Sequence, residues 1–330
     1  MEHLPKIELH LHLDCSLSYA VVAQLDPSVT RERYEREFIA PPQCTSLADF
    51  LTRAPRGFQL MQDETALQLV VEDLFEQLAR DGVIYAEIRF APLLHLERGM
   101  RSASVVETVD RATEACIRST GIEARLILCT LRHFSAAQGL ETAGLVETFR
   151  GSRVVALDLA GDEKGFAIDA HIPSFRYSLE HGLRRTAHAG EACGADSVWE
   201  TLEKLQPSRI GHGVRSAEDP SLVSHLRSEK IHLEICPSSN VQTCAVRSYA
   251  EHPIDSLYRA GVSLGVNTDA RTITNISLSR EYQRLGDHFH WGNQEFLACN
   301  REALRAAFVE DSIKDSLSRK LQAAYSQVTR

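Results

Sequence analysis

The chain reads Arg184-Arg185-Thr186-Ala187-His188-Ala189-Gly190-Glu191 where a short β-rich run ends in chemically active side chains. This run, Arg184–His188, is followed by Ser197–Leu205, whose apolar residues have helical spacing. A second β-rich run, Arg209–His212, comes next. Strand, helix and strand in this order form the unit from which parallel sheets are built. The stretch therefore predicts an α/β fold.

The same alternation extends along the whole chain. The eight predicted strands are Lys6–His12, Val83–Phe90, Ala124–Thr130, Val154–Ala160, Arg184–His188, Arg209–His212, Ile231–Ile235 and Val262–Asn267. The predicted helices include Thr65–Arg80, Ser104–Ser119, Ser197–Leu205 and Asp219–Ser228, with closing helices at Glu295–Phe308 and Asp311–Tyr325. Eight such units predict a TIM-like (β/α)8 barrel with extra helices at the C-terminus. A doubly wound open sheet would alternate in the same way, but its glycine-rich phosphate fingerprint is missing after the first strand.

The segment after the first predicted strand is too long for an ordinary βα loop. Residues 15–63 are therefore predicted to form a helical lid over the C-terminal mouth of the barrel. Four of its apolar residues either roof a ligand or form the lid's own small core: Leu51, Phe58, Leu60 and Met61. No repeat or Pro/Gly/Ser-rich linker divides the chain. Residues 1–330 are therefore predicted to form a single domain.

Composition narrows the classes of function. Of 330 residues, 36 are Lys or Arg and 45 are Asp or Glu, which gives a net charge of −9. A nucleic-acid-binding protein usually carries a basic footprint, so this class is not expected. No apolar run of about 18 residues predicts a membrane span, and Met1-Glu2-His3-Leu4-Pro5 does not resemble a signal peptide. The eight cysteines include no CxxC pair and are predicted to be reduced core thiols of a cytoplasmic protein. The oligomeric state stays open.

Histidine and carboxylate side chains stand at the ends of several predicted strands. His10 and His12 end the first strand and share a face, because side chains two apart on a strand point the same way. His188 and His212 end the fifth and sixth strands, and Asp269 follows the eighth. Barrel enzymes keep their chemistry at this end, and imidazole and carboxylate are ligands of catalytic zinc. One such histidine alone would more often be a hydrogen-bonded core residue, but the whole set favours a catalytic metal site.

An ordered series of short motifs resembles the adenosine deaminase family, the mononuclear zinc aminohydrolases of the amidohydrolase superfamily. The motifs are Pro5-Lys6-Ile7-Glu8-Leu9-His10-Leu11-His12-Leu13-Asp14, Glu87-Ile88-Arg89-Phe90-Ala91-Pro92, Asp158-Leu159-Ala160-Gly161-Asp162-Glu163, His188-Ala189-Gly190-Glu191, Arg209-Ile210-Gly211-His212-Gly213, Cys236-Pro237-Ser238-Ser239-Asn240 and Asn267-Thr268-Asp269. Each motif is short, but their order is that of the family. The resemblance implies a barrel that deaminates an aminopurine.

The resemblance implies one zinc ion per chain, held by His10, His12, His188 and Asp269. Three neutral imidazoles and a carboxylate leave the metal enough charge to acidify a bound water molecule toward neutral pH. A second metal is not expected, because Lys164 falls too late to be the bridging carboxylated lysine of binuclear relatives. Asp158 is expected near the metal ligands, where it would steady a histidine or the water; a buried carboxylate bonded to the backbone is the alternative. Cytidine-type zinc deaminases carry PCxxC, whereas Pro237 is followed here by Ser238.

The same resemblance implies roles in catalysis and substrate binding. Glu191 matches the proton donor to purine N1, and His212 matches the residue that orients the attacking water and stabilises the alkoxide at C6. The implied substrate contacts are His12, Asp14, whose carboxylate would hold the ribose 5′-hydroxyl, and Gly161, whose backbone N–H would meet purine N3.

Two positions depart from the family pattern. Cys15 replaces the glycine of the HLDG motif, beside the position expected to bind ribose. Ala270 replaces the second aspartate, which in typical members bonds purine N7. Alanine cannot make that bond, so the purine recognition pattern is incomplete; the first candidates to supply the contact are a water molecule and the neighbouring Arg271.

The leading functional hypothesis is hydrolytic deamination of adenosine or 2′-deoxyadenosine by a zinc-activated water, which gives inosine or 2′-deoxyinosine and ammonia. One alternative is another 6-aminopurine compound, such as an N6-substituted adenine nucleoside or aminodeoxyfutalosine. Amide or ester hydrolysis by the same zinc hydroxide and a non-catalytic binding protein on this scaffold are weaker alternatives, because Glu191 and His212 are both present. The expected partner is a small purine nucleoside, with neither nucleic acid nor membrane.

Overall fold

The structure is a computed structural model that describes residues 3–328, so Met1, Glu2 and residues 329–330 lie outside it. Within that range eight parallel strands form one sheet, in which each strand pairs with the next along the chain. The strands are β1 Lys6–His12, β2 Val83–Phe90, β3 Glu123–Leu131, β4 Val154–Ala160, β5 Arg184–Ala189, β6 Arg209–His212, β7 His232–Ile235 and β8 Leu264–Val266. A parallel bridge between Leu11 and Asp269 joins β1 to the residues after β8. The predicted TIM-like barrel is confirmed and is nearly closed.

Sixteen α-helices lie within residues 3–328. They are α1 Tyr19–Leu25, α2 Arg31–Glu37, α3 Leu47–Leu51, α4 Ala54–Phe58, α5 Glu64–Arg80, α6 Ser102–Thr120, α7 Ala136–Thr148, α8 Ile172–Glu180, α9 Ala195–Leu205, α10 Pro220–Ser228, α11 Pro237–Gln242, α12 Ile254–Arg259, α13 Arg271–Thr274, α14 Leu278–Phe289, α15 Asn293–Ala306 and α16 Asp311–Val328. Short 3-10 turns lie at Leu13–Cys15, Pro92–Leu94, Asp169–His171, Val214–Glu218 and Tyr249–Glu251.

The pattern of buried residues explains these elements. Seven of the nine residues of β3 are buried, as expected for a parallel strand that is covered on both faces. Helix α5 begins where the Asp63 side chain accepts a hydrogen bond from the Ala66 amide. It then buries one apolar stripe at helical spacing: Leu67, Val70, Val71, Leu74 and Leu78.

The predicted and observed strand bounds agree for β1, β2, β4 and β6. The largest difference is in β8, which is three residues shorter than the predicted Val262–Asn267. The Val262 amide donates to the carbonyl of Leu257 at the end of α12, which places Val262 in a turn. At the other end, the Asn267 side-chain carbonyl accepts from the amides of Leu9 and His10, so a side chain replaces part of the ladder there.

Four short helices, α1 to α4, occupy the segment predicted to form a lid. Leu51 and Phe58 line a cavity at the barrel mouth, whereas Leu60 and Met61 pack against the core.

The cysteines form no disulfide within the described residues, and five are buried as predicted. The prediction is wrong for the other three, because Cys15 and Cys193 are half-buried and Cys244 is exposed. No helix within residues 3–328 is long and apolar enough to cross a membrane.

Candidate active site

Donor atoms from four predicted metal ligands converge at the C-terminal ends of the strands. One atom each from His10, His12, His188 and Asp269 lies within 4.8 Å of the others. His12 Nε2 is 3.3 Å from His188 Nε2 and 3.4 Å from Asp269 Oδ1, and His10 Nε2 is 3.2 Å from the same oxygen. The four side chains therefore surround a single point.

The backbone around Asp269 fixes this convergence. The Asp269 amide donates to the His10 carbonyl, and the His12 amide donates to the Asp269 carbonyl at 2.8 Å. Asp269 has a φ of 67° and His212 a φ of 59°, the left-handed region that residues with a Cβ rarely adopt. Such strain is typical of functional sites, where the surrounding structure holds it in place.

Hydrogen bonds on the outer edges of two rings set which nitrogens face inward. His10 Nδ1 lies 3.0 Å from the Glu234 carboxylate and His188 Nδ1 lies 3.2 Å from the Asp158 carboxylate. A carboxylate only accepts, so both Nδ1 atoms carry the proton and both Nε2 atoms present lone pairs. The buried Nε2 of His10 has no hydrogen-bond partner among the described residues. Burial also lowers the pKa of His12 well below its ordinary value. Three imidazoles converging with a carboxylate fit a catalytic metal ion.

One buried guanidinium joins the two carboxylates behind these rings. Arg89 donates to Asp158 Oδ2 at 3.1 Å and to Glu234 Oε2 at 2.6 Å. A second guanidinium, that of Arg209, places Nε 2.7 Å from Glu234 Oε1. Burial alone would raise the pKa of Glu234, but these two cations hold it well below its ordinary value. No role was predicted for Arg89, although it stands in one of the family-like motifs, and Glu234 was not predicted at all; their signal is a charged residue inside a buried strand.

Glu191 and His212 lie next to each other, beside the four candidate metal ligands. His212 Nε2 is 3.6 Å from Glu191 Oε2, and both side chains are buried. Burial raises the pKa of Glu191 well above its ordinary value, and the charges of Asp269 and Glu163 act in the same direction. A carboxyl group that stays protonated near neutral pH can act as an acid.

Glu163 holds the loop that carries Glu191. Its two carboxylate oxygens accept hydrogen bonds from four consecutive backbone amides and from the Ser197 hydroxyl, the amides being those of Gly190, Glu191, Ala192 and Cys193. The sequence analysis quoted Glu163 in a motif but gave it no role. Its structural role is that of an anion buried under the turn that precedes α9.

A cavity of about 440 Å³ opens beside His12, one of the four candidate metal ligands. Its lining includes His12, Asp14 and Gly161 from the barrel and, from the lid, Ala48, Leu51, Thr52, Ala54, Pro55 and Phe58. Burial raises the pKa of Asp14 to about 6. Gly161 has a φ of 105°, and a Cβ there would come within 3.4 Å of the Arg132 amide. This conformation favours glycine and leaves its backbone bare at the cavity.

The two positions that depart from the family pattern lie in one apolar cluster. Ala270 is 3% exposed and packs with residues of the lid and of α13, namely Ala40, Cys44, Leu47, Phe50 and Ile273, and Cys15 packs against the same cluster. The expectation that Arg271 supplies the missing purine contact is wrong. Its buried guanidinium donates to Glu8 at 2.6 Å and lies 3.1 Å from Asp81.

Comparison with known proteins identifies the family. The family model described as adenosine deaminase matches residues 5–324. An adenosine deaminase from Clostridium acetobutylicum is 33% identical over 326 residues, which cover 97% of each chain. The crystal structure of an adenine deaminase from Arthrobacter aurescens is 27% identical with a TM-score of 0.90, covering 97% of this chain and 98% of that one. An arabidopsis N6-mAMP deaminase is 27% identical with a TM-score of 0.85, covering 98% of both chains. The chain therefore belongs to the adenosine deaminase family and is an aminohydrolase of the amidohydrolase superfamily.

Proposed function

We propose that this protein is a zinc-dependent deaminase that converts adenosine or 2′-deoxyadenosine into inosine or 2′-deoxyinosine and ammonia. The observation that carries the proposal is the buried pair of Glu191 and His212, 3.6 Å apart, beside the four converging metal-donor groups. An acid, a hydrogen-bonding imidazole and a Lewis-acid site close to one another are what replacement of a ring amine by water requires.

One zinc ion per chain is the proposed cofactor, with His10, His12, His188 and Asp269 as its ligands. The three imidazoles favour zinc over magnesium or calcium, which prefer oxygen ligands. Two other groups of close donors occur in residues 3–328, and both share residues with this one, which supports a single ion. When bound, zinc supplies the Lewis acidity that makes water nucleophilic near neutral pH.

The remaining chemistry is proposed for side chains of the cavity. Glu191 would give its proton to purine N1, which makes C6 more electrophilic, and His212 would donate a hydrogen bond to the oxygen that attacks C6. The C6–N bond would then break, with one proton of the attacking water going to the amine, which leaves as ammonia, and the other restoring the acid form of Glu191. Asp14 would accept a hydrogen bond from the ribose 5′-hydroxyl, and the Gly161 amide would donate to purine N3. His12 lines the cavity and would contact the substrate as well.

Two observations favour adenosine as the proposed substrate. The relative from Clostridium acetobutylicum carries that activity in its name. Within residues 3–328, the residues that line the cavity include no lysine or arginine, so a nucleoside suits it better than a nucleotide. The free cysteines support a cytoplasmic location as part of the same proposal.

A second candidate is another 6-aminopurine compound, such as an N6-substituted adenine nucleoside or aminodeoxyfutalosine. Ala270 favours it, because an apolar cluster stands where typical members carry the aspartic acid side chain that bonds N7. The arabidopsis N6-mAMP deaminase supports the same candidate.

The test of the proposed function is ammonia release from a panel of substrates. Adenosine, 2′-deoxyadenosine, adenine, N6-methyladenosine and N6-methyl-AMP are compared by kcat/KM, with and without a zinc chelator. We expect the highest value for adenosine or its 2′-deoxy form and its loss with chelator. A higher kcat/KM for an N6-substituted compound would assign the second candidate, and no turnover of any compound would contradict both.

Ala270→Asp is expected to add a hydrogen bond from the side chain at position 270 to purine N7. In the wild-type protein Ala270 cannot bond N7, whereas an aspartic acid there can. The new bond joins two uncharged groups and contributes about 0.5–1.5 kcal/mol, so the ratio of kcat/KM for adenosine to that for 7-deazaadenosine should rise about two- to tenfold in the variant. Because the new carboxyl enters an apolar cluster, the midpoint of thermal unfolding should fall as well. An unchanged ratio in a folded variant would contradict this account of position 270.

Arg89→Lys is expected to weaken zinc binding about 10- to 100-fold, the usual cost of disturbing the groups that hold metal ligands. An ammonium group cannot reproduce the planar fork that reaches Asp158 and Glu234 together. Arg153→Lys is the matched control, because the Arg153 guanidinium also forks onto a carboxylate, that of Asp110 on α6, outside the group of metal donors. Both variants should lower the thermal midpoint, and only Arg89→Lys should lower zinc affinity in a competition titration. Equal zinc affinity in both variants would contradict the prediction.

A further inference from the structure

A line of buried hydrogen bonds runs from a backbone amide to the ring of His212. The Ile254 amide donates to His252 Nδ1 at 3.1 Å. His252 Nε2 lies 3.3 Å from Asn240 Oδ1, and Asn240 Nδ2 lies 3.0 Å from His212 Nδ1. The line thus starts at the first turn of α12, passes through α11 and ends at the last residue of β6.

The first bond sets the direction of every other bond in the line. A backbone N–H only donates, so His252 Nδ1 must offer its lone pair to Ile254. An imidazole ring whose Nδ1 lone pair accepts a hydrogen bond carries its proton on Nε2. The proton of His252 is then on Nε2, and it is donated to the Asn240 side-chain carbonyl.

The amide of Asn240 passes the same direction to the catalytic ring. With its oxygen accepting from His252, its NH2 group faces His212 Nδ1 and donates to it. The opposite orientation would set the NH2 group against the N–H of His252, two donors facing each other in a buried site. The lone pair of His212 Nδ1 is therefore occupied, and its proton is on Nε2. That nitrogen is the one that lies 3.6 Å from Glu191 Oε2.

We propose that Asn240 and His252 are positioning residues that fix His212 as a hydrogen-bond donor toward the reacting atoms. The inference rests on the proposed function and specifies how His212 serves it. Nε2 is the nitrogen on the side of Glu191, so His212 donates to the oxygen that gains negative charge at C6. It does not take a proton from water there, because its lone pair is on the opposite edge of the ring.

The direct test is the protonation of the two His212 nitrogens, measured by ¹⁵N NMR on zinc-loaded protein labelled with ¹⁵N-histidine. The His212 signals are assigned by their loss in His212→Asn. We expect a bare Nδ1 and a protonated Nε2 in the wild-type protein. A proton on Nδ1 and none on Nε2 would overturn the inference. The measurement needs no substrate, so its outcome is separate from the proposed activity, which fails only if no 6-aminopurine is deaminated.

Asn240→Asp tests whether the line sets the tautomer. The aspartate keeps an acceptor for His252 but replaces the donor to His212 by an acceptor, so His212 Nδ1 should gain a proton. A bare Nδ1 in this near-isosteric variant would show that Asn240 does not control the ring.

Asn240→Leu adds a kinetic readout. We expect kcat to fall about 10²-fold or more, while KM stays within about threefold of the wild-type value and bound zinc is unchanged, since a misassigned histidine tautomer can cost up to about 10⁴ in kcat. The matched control is Asn300→Leu, which removes an equally buried asparagine that bonds Ile7 and Tyr282, outside this line. Both variants should lose stability, and only Asn240→Leu should lose kcat. Equal kcat in the two variants would overturn the inference, and so would a loss of kcat that follows loss of zinc.

Discussion

Glu191→Gln is expected to lower kcat for adenosine by about 10²-fold or more while zinc stays bound. The amide keeps the shape of the side chain but has no acidic proton to give to purine N1. Burial raises the pKa of Glu191 and so favours its protonated form, whereas glutamine has no group that titrates. KM should change little, because the lost interaction belongs to the reaction step rather than to substrate binding.

A control at the surface tests whether the same substitution matters away from the site. Glu200 lies on α9, and its carboxylate pairs with Lys204 at the surface. Glu200→Gln makes the same change from carboxyl to amide and should leave kcat within about twofold of the wild-type value, in line with the small effects of surface substitutions. A Glu191→Gln protein with near wild-type kcat would show that another group is the proton donor.

His188→Ala and Asp269→Ala are each expected to lose zinc and activity together. Removing one of four ligands opens the site, and without the metal the pKa of water returns to about 15.7, far from that of a usable nucleophile. We expect kcat to fall by about 10³-fold or more in both variants, with metal content measured on the same samples. His171→Ala is the control, because His171 is buried but bonds only Thr130 and the Arg132 carbonyl. Full activity in a metal-free preparation, or two tightly bound ions per chain, would contradict the zinc site.

Most of the fold was predictable because periodicity and strand ends carry the information. The eight β-rich runs predicted the barrel. The predicted bounds of four strands, β1, β2, β4 and β6, agree with the structure. The end of β8 was not predictable, because the Asn267 side chain replaces a strand partner through hydrogen bonds to Leu9 and His10. A contact between residues more than 250 positions apart leaves no local signal.

The metal-facing residues were easier to predict than the groups that support them. His10, His12, His188 and Asp269 stand at strand ends, where the topology itself brings them together. Asn240 follows His212 by 28 residues, with α10 and β7 between them, and only the packing of α11 and α12 makes Asn240 and His252 its neighbours.

For Arg271, position in the chain suggested a contact that the structure does not support. Its place in the chain, next to Ala270, suggested a substrate contact. Consecutive side chains in a helical turn point about 100° apart, and the guanidinium turns toward Glu8 and Asp81.

The central claim is that water replaces the 6-amino group of adenosine in a zinc-dependent reaction. The most direct test incubates adenosine with zinc-loaded protein in H₂¹⁸O and analyses the products by mass spectrometry. We predict inosine with one ¹⁸O atom at C6, one ammonia for each inosine, no product from metal-free protein, and recovery when zinc is added back. Inosine formed at the same rate without metal, or product without ¹⁸O at C6, would contradict the account.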